Sequence, residues 1–152
     1  MINENLKLSG QLNIVLKDKA GNIKDQRDVK NLVVNTGLAY IASRMTGTSK
    51  SVMSHMALGS GATAASSGQT DLVSVLGSRE ALDSTSISGS NNEKVVYASS
   101  FEAGDATGAV TEAGLFNASS SGDMLCRTVF SVVNKAADDT MSVTWTITLA
   151  AS

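Results

Sequence analysis

Two side chains in this sequence could supply nucleophilic or general-base chemistry: His55, the single histidine, and Cys126, the single cysteine. Such chemistry depends on positioned partners, and neither a Gly-x-Ser-x-Gly elbow nor a cysteine-protease signature surrounds them. One histidine cannot build a multi-histidine zinc site, and no second soft ligand stands at metal spacing. Cys126 lies in an apolar run, which predicts a buried thiol. We therefore expect no catalytic residue, no metal ligand, no cofactor and no enzyme activity.

The acidic residues indicate structural roles. Asp138 and Asp139 are adjacent at a predicted strand-joining turn, so their side chains should point to opposite sides and shape that turn. Glu102 and Glu112 are isolated acids in strand-like contexts. Glu112 is expected to be partly buried, with Arg127 of the neighbouring strand as its ion-pair partner. Calcium binding by the acidic loops is an open alternative at this point, although the Asp-x-Asp-x-Asp-Gly order of an EF-hand is absent.

Two further features are interpreted as structural. The Gly-Ser-Gly at residues 59–61 lacks a dinucleotide or P-loop motif around it, and the small residues of 59–68 predict a surface loop. Trp145 lies on the apolar face of a predicted strand and is expected in the core. A carbohydrate-stacking platform would instead need several exposed aromatic side chains, and the chain has only six in all.

The elements that must position these residues are mainly strands. Between residues 141 and 149 every odd position is apolar and every even position is Ser or Thr. That alternation is typical of a strand with one buried face. Short strands separated by Gly, Ser, Asn and Asp turns predict a mainly β chain, a single antiparallel β-sandwich or jelly-roll-like domain. Strands are predicted near 79–88, where the alternation is loose, and near 93–102, and the clearest ones lie near 110–117, 124–133 and 139–149.

The first thirty residues predict a β-hairpin. Apolar residues occupy even positions of its first strand, with an expected interruption near Ser9-Gly10, and a Gly/Asn turn at 18–22 leads to its second strand. We expect residues 1–30 to act as an N-terminal arm that can dock on a partner. Residues 31–152 then form the sandwich, with the whole chain as one compact unit.

One helix is predicted directly after the hairpin. The apolar residues that fall at helical spacing predict a short helix near residues 36–46, with Asn35 or Thr36 as its N-terminal cap. The apolar positions of this helix are Leu38, Ile41, Ala42 and Met45.

Composition and charge limit the partners. The net charge of −2 argues against a nucleic-acid binder. No signal peptide or long apolar segment is present, so we expect no membrane segment and synthesis in the cytosol. Residues 1–50 hold eight basic residues against four acidic ones, and residues 51–152 hold four against ten. This is either a chance split over solvated faces, or the basic end meets an acidic neighbour such as the acidic end of an identical subunit.

An ordered set of short segments resembles a family of small structural proteins of tailed bacteriophages. The segments span residues 31–149, and their order is more specific than any single piece. They are 31–42 with Asn35-Thr36-Gly37, 56–61 with Leu58-Gly59-Ser60-Gly61, Thr63-Ala64, Thr70-Asp71-Leu72, Ser78-Arg79, Glu112-Ala113-Gly114-Leu115-Phe116, Leu125-Cys126-Arg127-Thr128-Val129-Phe130, Asn134-Lys135 and Val143-Thr144-Trp145-Thr146-Ile147.

The resemblance implies a non-enzymatic virion protein, made in the bacterial cytoplasm. A capsid decoration (cement) protein fits best, because no repetitive fibre shaft follows the domain. Its partners would be the major capsid protein or tail and portal-vertex proteins, and we expect a homo-oligomer, either a dimer or a trimer. The alternatives are a tail, collar, baseplate or fibre-associated protein and, more remotely, a carbohydrate-binding module. The Ser/Thr face of the last strand and the basic hairpin are the candidate contact surfaces.

Overall fold

The computed structural model describes residues 4–47 and 50–151. Residues 1–3 of the predicted hairpin and residue 152 of the predicted sandwich therefore lie outside the described residues. The described part of the chain contains ten strands and one helix, α1, which spans Asn35–Met45. The strands are β1 (Leu6–Lys17), β2 (Ile23–Lys30), β3 (Leu32–Val33), β4 (His55–Gly59), β5 (Glu80–Ala81), β6 (Ser84–Ser88), β7 (Lys94–Phe101), β8 (Gly108–Phe116), β9 (Met124–Lys135) and β10 (Thr140–Ala151).

The strands form two antiparallel five-stranded sheets. Sheet A has the order β2-β1-β10-β7-β6, and sheet B has the order β3-β9-β8-β4-β5. Apolar side chains of both sheets form one core, in which Leu58, Phe101, Leu115 and Trp145 are fully buried. The predicted mainly β fold, an antiparallel sandwich with one short helix, is confirmed. The jelly-roll type of connection stays a prediction.

The N-terminal hairpin is built into sheet A. Its turn closes through a backbone hydrogen bond between Asp18 and Asn22, as the Gly/Asn pattern predicted. β1 then pairs with β10 along its whole length of twelve residues. Because β1 alternates in phase with β10, it contributes three core side chains, Leu12, Ile14 and Leu16.

The predicted interruption of the first strand near Ser9-Gly10 is wrong. β1 continues through Gly10, which pairs with Ile147 of β10. The glycine is needed for space, since a Cβ atom there would overlap the side chain of Asn31. That side chain accepts a hydrogen bond of 3.0 Å from the indole N–H of Trp145. Gly10 is therefore a packing residue inside a strand and does not break it.

The prediction of one continuous strand over residues 79–88 is also wrong. The segment divides into β5, in sheet B, and β6, in sheet A. Between them the N–H of Leu82 binds the carbonyl of Ser54, and the N–H of Asp83 binds the carbonyl of Ala98. The backbone thus changes its hydrogen-bond partners from one sheet to the other within two residues. The strands predicted near 93–102, 110–117, 124–133 and 139–149 correspond to β7, β8, β9 and β10.

The helix forms as predicted, but its cap and its buried face differ. Val34 precedes the first turn without any side-chain cap, and the Thr36 hydroxyl instead donates to the Met124 carbonyl at 2.7 Å. The helix turns Gly37 and Tyr40 inward, because Gly37 lies directly against the backbone of Leu125, where no Cβ would fit. This close approach rotates much of the predicted apolar stripe into solvent. Leu38 is 50% exposed and Met45 is 83% exposed.

Candidate functional site

The outer face of sheet A is an open polar surface. The even residues of β10 point outward from the centre of the sheet and are partly exposed. Thr146 lies between Gln11 of β1 and Val96 of β7, and Thr148 lies between Ser9 and Lys94. The Ser/Thr side of the last strand is therefore the middle of a broad face, and two neighbouring strands extend it on both sides.

A shallow cleft of about 730 Å³ lies on this face. Three lysines from three strands border it: Lys7 of β1, Lys30 of β2 and Lys94 of β7. Short polar side chains form much of its floor, and Gly10 and Val29 complete it on the hairpin side. The floor side chains are Ser9, Gln11, Thr146 and Thr148. The two predicted contact surfaces, the basic hairpin and the Ser/Thr strand, therefore line one cleft.

The cleft is electrostatically positive. None of Lys7, Lys30 and Lys94 has a carboxylate within ion-pair distance among residues 4–47 and 50–151. The one acid of the cleft wall is Asp28, whose carboxylate accepts a 2.9 Å hydrogen bond from the Asn13 amide. Three cationic side chains against one carboxylate favour an anionic ligand or a carboxylate-rich surface.

Other basic residues of the first third are already paired within the chain. Lys24 binds Asp139 at 2.6 Å, and Lys50 binds Asp123 at 2.8 Å. The basic N-terminal part thus meets acids of the C-terminal part in the same molecule. Lys17 and Lys19 of the hairpin also form no ion pair among residues 4–47 and 50–151, so the lysines of the cleft are the unpaired ones that border a common cleft.

The outer face of sheet B carries a different constellation, the predicted Glu112–Arg127 pair. The pair is confirmed: Arg127 Nη2 lies 2.7 Å from Glu112 Oε2, and both side chains are fully buried. Glu112 also accepts the backbone N–H groups of Gly61, Val73 and Ser74 at 2.7–3.0 Å. Burial alone would raise the pKa of Glu112, but these N–H groups and Arg127 lower it below its ordinary value.

This ion pair holds a long loop on the sheet. Arg127 donates to the Thr63 carbonyl and to the Gln69 side chain, each at 2.9 Å. Residues 60–79 are thereby fixed over an apolar cluster on the outer side of sheet B, formed by Val34, Ala57, Phe116 and Met124 with Leu72 of the loop. The predicted surface loop at 59–68 is the first half of this cover. The role of Glu112 and Arg127 is therefore structural.

Arg79 fixes the far end of the same loop, a role that sequence reasoning did not assign. Its guanidinium lies 3.5 Å from the centre of the Phe116 ring, a cation–π contact. It donates to the carbonyls of Ala118 and Ser121 and pairs with Asp71 at 3.4 Å. Arg79 and Asp71 are within the ordered segments of the resemblance, so those segments mark one continuous structural network.

His55 and Cys126 are not brought together as a catalytic pair. Cys126 is fully buried in the core, as predicted, and burial raises the pKa of its thiol. His55 is at the start of β4, with its Nδ1 2.8 Å from the Ser54 hydroxyl. The walls of the sheet A cleft, of a groove between α1 and sheet A and of a cleft beside Arg127 do not include His55.

Of the two adjacent aspartates, Asp139 shapes the β9–β10 turn as predicted, and the same role for Asp138 stays a prediction. Asp138 is exposed, whereas Asp139 is buried and accepts the backbone N–H of Ala136 at 2.8 Å. The unexpected residue here is Lys135, which is 2% exposed and donates to the Glu102 carbonyl at 2.8 Å. Burial lowers the pKa of Lys135, although nearby acids oppose this shift. The buried ammonium group of Lys135 is thus bound by the backbone carbonyl of Glu102 and not by the Glu102 carboxylate.

The aromatic residues bear on carbohydrate binding. All six are buried: Tyr40, Tyr97, Phe101, Phe116, Phe130 and Trp145. Trp145 is fully enclosed, as expected. The exposed aromatic cluster that a carbohydrate-stacking module requires is absent from this chain.

No family model, curated protein or solved structure matches this chain. In the described part of the chain, no group of three or more His, Cys, Asp or Glu side chains is arranged to hold a metal ion. None of its helices has both the length and the hydropathy needed to cross a bilayer.

Proposed function

We propose that this chain is a non-enzymatic structural protein of a bacteriophage particle, a capsid decoration (cement) protein. It binds the assembled shell through the outer face of sheet A. The single observation that carries the docking surface is the cleft bordered by Lys7, Lys30 and Lys94, for which the described residues supply no ion-pair partner. The ordered segments over residues 31–149 supply the viral class, as a resemblance.

The face is suited to bind a protein surface. Ser and Thr side chains lose little rotamer freedom when they are covered, so ordering them costs little free energy. Their hydroxyl groups can donate or accept hydrogen bonds, so they can satisfy the polar groups of a partner surface. The three lysines select an acidic partner and accelerate its encounter. An acidic patch on the capsid protein, at the contact between neighbouring capsomers, is the partner that this chemistry fits.

Cementing follows from repetition. Each copy buries a modest area between neighbouring capsid subunits, and the symmetry of the shell multiplies that contribution. A subunit of the shell can then leave only when several decoration contacts break together. The shell is stabilised without any chemical step.

The decisive experiment measures binding to particles prepared without the protein. The triple variant Lys7→Glu, Lys30→Glu, Lys94→Glu is compared with Lys19→Glu, a lysine in the exposed hairpin turn outside the cleft. We expect the triple variant to lose affinity by about tenfold or more and the Lys19 variant to bind like wild type. Equal binding of all three proteins would remove the cleft as the docking surface.

Location and stabilisation are tested on the same particles. Reconstruction of decorated particles should show many copies on the shell, and the heated shell should break at a higher temperature with the protein than without it. Density confined to the tail or portal vertex would replace the cement proposal with the tail-associated alternative. Equal breaking temperatures would contradict a cementing role.

A further inference from the structure

In the part of the chain that the structure describes, one of the four sheet edges is unprotected. An exposed strand edge with free N–H and C=O groups can pair with another chain, and proteins usually guard it with charge, shortness or a cover. β3 and β5 are only two residues long. β2 is charged along its length, with Lys24, Asp25, Arg27, Asp28 and Lys30. β6 has five residues, no charge and no proline, and all five are exposed.

Apolar surface adjoins this edge. Ile87 of β6 is 67% exposed and pairs with Val95 of β7 on the inward side of sheet A. Val95, together with Ile147 and Leu149, lines an apolar groove of about 350 Å³ that lies between sheet A and α1. The edge therefore presents both free backbone groups and an exposed β-branched side chain, the combination that strand pairing would cover.

The sequence of β6 is complementary to itself. In an antiparallel pair centred on Ser86, each Ser84 faces Ser88 of the second copy, and each Thr85 faces Ile87. Cross-strand pairs of β-branched residues stabilise such a ladder, and no like charges face each other. A two-fold interface needs this self-complementarity, because the same patch serves both subunits.

We infer that β6 pairs with β6 of a second copy of this chain, which joins the two A sheets into one continuous ten-stranded sheet. The dimer closes on itself, because the remaining free edge of each sheet is the charged β2 strand. Pairing of β6 with β2 would instead build an open filament, and it would set the charged side chains of Asp25 and Arg27 against uncharged partners.

The dimer has a consequence for particle binding. Only this consequence rests on the proposed function; the β6 pairing itself does not. The two-fold axis of an edge-to-edge antiparallel pair is perpendicular to the sheet, so both lysine clefts open on the same side. A dimer can then hold one particle surface through two clefts at once, which raises the apparent affinity without any new contact.

The oligomeric state tests the inference directly. Light scattering after size exclusion, at micromolar concentration, should give twice the 15.6 kDa of one chain. Ile87→Lys places a charge in the pair and should give the monomer mass. Val52→Lys, at a 58% exposed valine away from β6, should remain dimeric. A monomeric wild-type protein would overturn the inference, as would an Ile87 variant that folds and stays dimeric.

Cross-linking locates the interface independently of any destabilisation. Ser86→Cys places two thiols directly opposite each other, at a Cα separation of about 5 Å that a disulfide can span. Copper-phenanthroline with air should link this variant rapidly. The native chain, whose only thiol is buried, should stay unlinked. Linking of Ser86→Cys no faster than of Ser90→Cys, in the neighbouring turn, would contradict β6 pairing even if a dimer is present.

Discussion

The two sheets of this sandwich treat their outer faces in opposite ways. Sheet A leaves its face to solvent, with hydroxyl groups and unpaired lysines around a cleft. Sheet B covers its face with residues 60–79, held by the buried Glu112–Arg127 pair and by Arg79 over Phe116. The covered face belongs to the fold, and the open face is free to bind. Removing the buried pair should therefore affect stability, whereas changing the open face should affect association.

The buried pair is costly to separate. The attraction between two buried charges offsets the free-energy cost of their desolvation only when their polar atoms are also hydrogen-bonded. Here four groups contact the carboxylate of Glu112. A pair of this kind specifies where the loop lies, since any other position leaves a buried charge alone. Stability and loop position are thus linked in sheet B.

The largest expected effect is that of Glu112→Gln. It leaves the fully buried guanidinium of Arg127 without its counter-charge, so the free energy of unfolding should fall by about 3–5 kcal/mol. Chemical denaturation followed by circular dichroism measures it. The matched control is Asp28→Asn, in the cleft of sheet A, which should change stability by no more than about 0.5 kcal/mol. Similar losses in the free energy of unfolding of both variants would contradict the proposal that only the outer face of sheet B contributes strongly to stability.

Acid should reproduce part of that loss. The pKa of Glu112 is lowered in the folded protein, so its contribution to stability is complete above the unfolded pKa of about 4.3 and is lost as pH falls through the lower folded value. The pKa values of Asp18 and Asp139 are lowered as well. The informative quantity is therefore the difference between wild type and Glu112→Gln, which should narrow below about pH 4. A constant difference would contradict this.

A smaller effect is expected at the glycines of the covering loop. Gly61 lies against the Glu112 carboxylate and Val73, so Gly61→Ala forces these groups apart and should cost about 1–3 kcal/mol. Gly68 in the same loop has open space where a Cβ atom would lie. Gly68→Ala should be neutral or slightly stabilising, by up to about 1 kcal/mol. Thermal unfolding of both variants measures the difference, and equal melting temperatures would mean that the loop is not tightly seated.

The smallest stability effect belongs to the open face. Thr146→Val keeps the β-branched shape and replaces one hydroxyl with a methyl group, so the free energy of unfolding should change by less than about 0.5 kcal/mol. The same substitution lies in the floor of the cleft and should weaken binding to particles. A large loss of stability here would show that the outer face of sheet A contributes to the fold as sheet B does.

Much of the fold followed from local sequence patterns, because alternation and turn residues act over a few positions. The hairpin, the closing strands and the buried Trp145 are of this kind. The prediction failed where distant residues decide. Gly10 predicted a break in β1, whereas its actual role is to leave space for the side chain of Asn31, which is distant in sequence. In the same way, the apolar spacing of α1 could not show that Gly37 would pack against β9 and orient the helix.

The candidate site shows the same division. Glu112 and Arg127 were paired correctly because their strands are consecutive. The cleft could not be assembled from sequence, since it requires β1 and β7 to flank β10 although they are far apart in the chain. Lys135 was missed for a related reason, because its partner is a backbone carbonyl group, which leaves no signal in the side-chain pattern. The same holds for two partners of Arg79, the carbonyls of Ala118 and Ser121.

Trp145 also gives this protein an internal optical reporter. It is the only tryptophan, fully enclosed, with its indole N–H bound to Asn31. Its fluorescence should therefore be blue-shifted and inaccessible to iodide while the sandwich is closed. Since Asn31 packs against Gly10 in the cleft wall, a ligand that moves this wall changes the surroundings of the indole. The emission of the unlabelled protein thus follows both the opening of the sandwich and events on its exposed face.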